Sequence, residues 1–176
     1  GLHYVFYELA KSQRVQDKLR ELIVAEDMTF EKMLDLEYLD QVLYEALRLN
    51  PPLTYTTKVC SEVYELEGAK GHKFHMQPGS AALISIYSIH RDPGKVFLLN
   101  FWNILNNFSL DYYPHPDTFH PERFDKDGGI KAFRDKLILL PFGDGPRICL
   151  GMRFANVYLK AAIVEVLKNF KITVDD

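Results

Sequence analysis

The stretch Pro141-Phe142-Gly143-Asp144-Gly145-Pro146-Arg147-Ile148-Cys149-Leu150-Gly151 constrains this chain more than any other. It holds too many glycines and prolines to be helical itself. Directly after it Ala155, Leu159, Ala162, Val166 and Phe170 recur at helical spacing. That spacing predicts a long amphipathic helix and puts Cys149 at or just before its N-terminus. Unpaired backbone N–H groups and the positive end of the helix dipole favour a thiolate there. Gly143, Gly145 and Gly151 permit a positive φ and leave room for a flat ligand against the backbone. Arg147 is a permanently charged fork suited to a carboxylate. A thiolate, a close-approach loop and a carboxylate clamp together describe a haem iron held by cysteine. The competing reading of a single cysteine is a buried structural thiol.

The totals narrow the function classes. At 176 residues the chain is about one domain in length. With 47% hydrophobic and 26% charged residues it is neither disordered nor fibrous in composition. A net charge of −3 gives no electrostatic footprint for nucleic acid. The two cysteines, Cys60 and Cys149, suit one disulfide or, equally, one free and one metal-bound thiol. No apolar run reaches the roughly 18 residues of a membrane span, since Asn100, Asn103, Asn106 and Asn107 interrupt Val96 to Leu110. The chain opens on Gly1 within a helix-like run, as a fragment would.

Along the chain the pattern predicts helices first. Leu2 to Ala10 forms one, and Ser12 opens a second with Val15, Leu19, Leu22 and Ile23 on one face. Glu26 and Asp27 break it. Thr29 caps a third that runs through Met33, Leu36, Leu39, Val42, Leu43, Ala46 and Leu47 to Asn50, where Pro51-Pro52 stops it. Thr54 to Val59, Val63 to Leu66 and Ala81 to Ile86 read as strands of a small sheet, with Gly68 to His75 as a hairpin end and Pro78-Gly79 as a turn. Asp111 to Gly129 is dense in Pro, Asp and Gly and reads as a long ordered coil without regular structure.

These residues carry a family resemblance. Phe142-x-x-Gly145-x-Arg147-x-Cys149-x-Gly151 resembles the haem-binding loop of the cytochrome P450 monooxygenases at every fixed position. Glu45-Ala46-Leu47-Arg48 is similar to the family's E-x-x-R helix, and Pro121-Glu122-Arg123-Phe124 to its P-E-R-F segment. The resemblance implies a triad of Glu45, Arg48 and Arg123 that pins the coil behind the haem. Lys58 stands where many members carry an arginine that reaches a haem propionate. Ile89-His90-Arg91-Asp92-Pro93 and Gly151-Met152-Arg153-Phe154-Ala155 are most similar to insect microsomal members.

The resemblance implies a mainly α fold with a small β-sheet, the C-terminal portion of the P450 fold, over residues 1–176. It also implies haem ligated through Cys149, with Phe142, Gly145, Arg147, Gly151 and Lys58 around the cofactor. The implied activity inserts one oxygen atom from O2 into an apolar small molecule, with electrons from an NADPH-dependent P450 reductase. The implied location is the cytosolic face of the endoplasmic reticulum membrane, through an N-terminal anchor that lies outside this chain. The family's acid-Thr pair, which handles protons, is not among these residues, so no catalytic residue is assigned. The alternative is a non-catalytic fragment, a pseudogene product or partial gene model that keeps only the ligand loop.

Three other patterns carry no function. His90-Arg91-Asp92 lacks the asparagine of a kinase catalytic loop, with Phe97 in its place. His72 and His75 lack a second pair at zinc-ligand spacing, and Gly143-x-Gly145 lacks the third glycine of a dinucleotide loop.

Residues 94–110 read as a non-native insertion, a retained intron. Without them His90-Arg91-Asp92-Pro93 runs directly into Asp111-Tyr112-Tyr113-Pro114, which resembles the family's wording at this point. The block is dominated by Phe, Leu, Asn and Ile, the residues of AT-rich codons. The competing reading is a genuine surface insertion, which loops tolerate well.

Overall fold

The computed structural model describes residues 1–25, 28–67, 72–92, 112–125 and 128–174. In chain order they form helices α1 (Leu2–Lys11), α2 (Gln13–Ala25), α3 (Phe30–Asp35) and α4 (Glu37–Leu49). Strands β1 (Thr56–Val59), β2 (Tyr64–Glu67), β3 (Lys73–Met76) and β4 (Ala81–Ile84) follow, then the short helix α5 (Ile86–Ile89). A 3-10 turn at Pro121–Phe124, helix α6 (Gly129–Asp135), a second 3-10 turn at Gly145–Arg147 and helix α7 (Met152–Asn169) complete the order. The chain divides into two compact units, one of Gly1–Pro52 with Asp117–Asp176 and one of Leu53–Pro116. This is a mainly α fold with small antiparallel sheets.

The first unit packs its helices around one apolar core. Val5 and Leu9 of α1, Val15, Leu19 and Ile23 of α2, Leu39, Leu43 and Leu47 of α4, and Ile163 and Leu167 of α7 are all buried there. A smaller cluster of Tyr44, Phe124 and Leu139 takes in Ile130 and Phe133. Phe142 packs against both clusters. On α2 the expected face holds for Val15, Leu19 and Ile23, but Leu22 is exposed. Gln16 is buried instead, because its side-chain amide bonds Leu9 O, Ile172 O and the Ile172 N–H.

The helix expected from Thr29 to Asn50 is in fact two. Thr29 does cap the first, accepting from the Lys32 N–H at 3.3 Å. Leu36 then leaves the helical region, with φ −72° and ψ 94°. The break has a partner in the buried ammonium of Lys160 on α7, which donates to Leu34 O and Asp40 Oδ2, each at 2.8 Å. Burial pushes the Asp40 carboxyl up, and Lys160 pulls it back.

The face of α7 also differs from the expected stripe. Leu159 is common to both, but the buried side chains are Leu159, Lys160, Ile163, Val164 and Leu167. Phe170 is exposed. The helix is apolar on more than one face, so periodicity alone does not select the packed one.

In the second unit β1 pairs antiparallel with β4, Thr56 opposite Ile84 and Val59 opposite Ala81. Strand β2 pairs with β3, Tyr64 opposite Met76 and Glu67 opposite Lys73. These two-stranded sheets are the small β-structure expected, here in two pairs. The stretch expected as a hairpin end contains β3, which supplies the ladder partner that β2 needs; residues 68–71 lie outside the described residues. The strand expected to reach Ile86 stops at Ile84, because the Ser85 hydroxyl accepts from the Ser88 N–H and caps α5. Within the expected coil, Pro121 starts a 3-10 turn, a position where its missing N–H costs nothing. The proposed insertion, residues 94–110, also lies outside the described residues.

Candidate functional site

Cys149 lies three residues ahead of the first residue of α7, whose N-cap is Gly151. Its N–H donates to Phe142 O at 2.9 Å, which closes the loop back on itself. Its own carbonyl accepts the Met152 N–H at 3.2 Å, linking the loop to the helix. Between these ties Gly143 and Gly145 take φ values of 72° and 77°, which only glycine adopts freely. A Cβ at either would meet nothing within 4 Å, so that side of the loop is open. Gly151 differs from the expectation: its φ of −82° needs no glycine. A Cβ there would stand 4.0 Å from Cys149 Sγ, an ordinary contact.

The Cys149 thiol is exposed and that of Cys60 half-buried; both are free, so the two form no disulfide. Cys60 Sγ contacts Glu62 O at 2.7 Å in the other unit. Beside Cys149, Leu150 is fully exposed, and Phe154 and Tyr158 stack at 6.2 Å on an exposed face of α7. Arg147 ends the 3-10 turn with its side chain exposed.

Glu45, Arg48 and Arg123 come together. On α4, Arg48 Nε donates to Glu45 Oε2 at 2.8 Å and Nη2 to Oε1 at 3.0 Å, both side chains fully buried. Arg123 Nε donates to Glu45 Oε1 at 2.9 Å from the 3-10 turn. The His120 N–H adds a third bond to the same oxygen at 3.0 Å. Arg123 also reaches Thr118 O at 3.1 Å, so the triad binds the coil backbone as well as its side chain.

The role of the residue before Arg123 was not visible from the sequence. Glu122 points the other way and gathers Arg14 Nη1 at 2.8 Å, Lys18 Nζ at 3.2 Å and the Tyr38 hydroxyl at 3.0 Å. His120 Nδ1 lies 3.2 Å away. The Arg14 hydrogen bond holds the Glu122 carboxyl well below the usual glutamate range, against the cost of its partial burial. Burial and the Glu122 charge push the Tyr38 phenol up. Arg14 and Lys18 are over a hundred positions away in the chain, on α2, and no short motif joins them to Glu122.

Lys58 sits on β1 of the second unit, opposite Ala82, with its side chain exposed. Among the described residues no helix is long and apolar enough to cross a membrane.

Comparison with known proteins covers all of this. A family model described as Cytochrome P450 matches residues 1–176. The chain is 39% identical over 176 residues to a probable cytochrome P450 28d2 of Drosophila melanogaster, covering 99% of this chain and 32% of that protein. It is 36% identical to a probable cytochrome P450 309a2 of the same organism, over 97% of this chain and 29% of the relative. Similarity extends to cytochrome P450 3A18 of Rattus norvegicus, at 35% identity over 98% of this chain and 31% of the relative. The chain thus spans about a third of the length of these relatives. With the family model matched from first residue to last, the chain belongs to the cytochrome P450 family.

Proposed function

We propose that this chain is the cysteine-ligand portion of a haem-thiolate monooxygenase, with Cys149 as the protein ligand to iron. The observation that carries the reading is the Cys149 loop: an exposed thiol tied by its amide to Phe142 O, with open backbone at Gly143 and Gly145. The residues present fit haem. The open glycines leave a face where a flat macrocycle can approach, and exposed Leu150 and Phe154 offer apolar contact beside it. Bound haem supplies the oxygen chemistry, the insertion of one atom of O2 into an apolar small molecule.

The chain's own residues bind and orient. Cys149 donates a thiolate, and the start of α7 next to it accommodates the negative charge. Phe142 contributes its carbonyl to the Cys149 amide and its ring to both core clusters, so the sulfur is carried on packed structure. Arg147, its side chain exposed, is suited to meet a propionate carboxylate as a fork. Lys58 belongs to the other unit, and its part in binding a propionate rests on the family resemblance alone. Glu45, Arg48 and Arg123 hold the coil in one arrangement, since both guanidiniums converge on one buried carboxylate. An NADPH-dependent reductase as electron donor and a place on the endoplasmic reticulum membrane complete this reading, on family membership alone.

The test is spectroscopic. In the full-length protein Cys149→Ser abolishes the red-shifted carbonyl band of the reduced haem that marks thiolate ligation, and Cys60→Ser leaves it intact. Loss of the band in the Cys60 variant, with retention in the Cys149 variant, would refute the assignment.

A further inference from the structure

Tyr44 immediately precedes Glu45 on α4, and it is buried. Its side chain reaches both ends of the Cys149 loop. The ring meets Phe142 edge-on, at 6.4 Å between centroids and 70° between planes. The hydroxyl accepts a hydrogen bond from Asn156 Nδ2 at 3.1 Å. Phe142 lies seven positions before Cys149 and bonds its amide; Asn156 lies seven positions after it, on α7. One side chain of the helix that bears Glu45 and Arg48 thus spans the entry to the loop and its exit.

The Asn156 contact has a feature that separates positioning from stabilisation. Asn156 Oδ1 is buried with no hydrogen-bond partner. A hydrogen bond formed while a neighbouring polar atom is stranded adds little net stability, because the stranded oxygen carries its full desolvation cost. What the pair does supply is a fixed distance and direction between α4 and the first turns of α7.

We propose that Tyr44 is a positioning residue for the Cys149 loop, holding Phe142 and Asn156 so that the sulfur keeps one place and direction. The proposal rests on Cys149 being the haem ligand. Tyr44→Phe keeps the ring edge on Phe142 and removes only the hydroxyl. Asn156→Leu removes the donor together with the stranded oxygen, so its thermal midpoint should stay close to that of the unsubstituted protein. Tyr44→Leu removes both contacts.

The experiment uses the full-length haem-loaded protein and follows the reduced carbonyl complex as its thiolate band converts to the band of the unligated or thiol-ligated form. Tyr44→Phe and Asn156→Leu are each expected to speed this conversion about fivefold, the ratio corresponding to one ordinary hydrogen bond. The double variant should be no faster than either single one, because they break the same bond. If Tyr44→Leu fails to fold, the other two variants still decide. Conversion at the original rate in both Tyr44→Phe and Asn156→Leu overturns the proposal. So does acceleration that merely follows a lowered thermal midpoint, which would mark a general loss of packing. A starting protein with no thiolate band would instead defeat the ligand assignment beneath it.

Discussion

Glu45 shows what a single buried charge can specify. Its two carboxylate oxygens take bonds from two arginines and one backbone amide, and no solvent reaches it. Replacing Glu45 with Ala would take from Arg48, fully buried, and Arg123, nearly so, the carboxylate they share. The expected cost is about 3–5 kcal/mol, read from urea unfolding of the full-length protein. Glu45→Gln should cost less, since the amide oxygen still accepts; equal losses would mean that charge is not what the site uses. The members of this triad were legible because each sits in a short motif of fixed spacing. Tyr44, one residue away, belongs to no motif, and its partner Asn156 is 112 positions distant. Only folding puts them together.

Among elements, the 3-10 turn Pro121–Phe124 is tied to α2, α4 and α6. Glu122 turns to α2 and Tyr38, Arg123 to α4, and Phe124 to the cluster containing Tyr44 and Leu139. Three consecutive side chains therefore tie one turn to three places. Because the Glu122 carboxyl is held below its usual range, its contribution is complete above the ordinary glutamate value of about 4.3. That contribution is lost as pH falls through the ordinary value toward the lower folded-state one. Asp40 works in the opposite sense, since its carboxyl is raised and proton uptake there favours the folded state as pH falls. Glu122→Gln should accordingly flatten the acid limb of stability, measured as the urea midpoint between about pH 6 and pH 3. At neutral pH it should cost roughly 1–2 kcal/mol, kept small by the exposure of Arg14 and Lys18. An acid limb as steep in the variant as in the parent would show that Glu122 does not set it. Helices α2 and α7 were readable from period, though the packed face of α7 was not. The break at Leu36 was not, because it depends on Lys160, far along the chain. Strand β3 was missed for a related reason: Lys73 to Met76 is only four residues, too short for its alternation to stand out, and its extended form comes from pairing with β2.

At the scale of the whole chain, we propose that residues 94–110 are a translated intron. The block holds Val96, Phe97, Leu98, Leu99, Phe101, Trp102, Ile104, Leu105 and Phe108 within 17 residues. A surface insertion with that many large apolar side chains is an aggregation liability unless something covers it. Its ends also admit splice sites under particular codons. If Gly94 is GGT and Lys95 is AAG or AAA, a GT-AA donor begins after the first G. If Leu110 is TTA, the first G of Asp111 completes a TTAG acceptor. The G retained from Gly94 then joins the last two bases of the Asp111 codon and restores an aspartate. Removal of 17 whole codons keeps the frame, so a retained copy would still read through to the Cys149 loop. Sequencing cDNA from Pro93 to Asp111 is expected to give transcripts in which Pro93 is followed directly by Asp111. Retention of the block in every transcript, with Gly94 encoded by a codon other than GGT, would make it a genuine insertion instead.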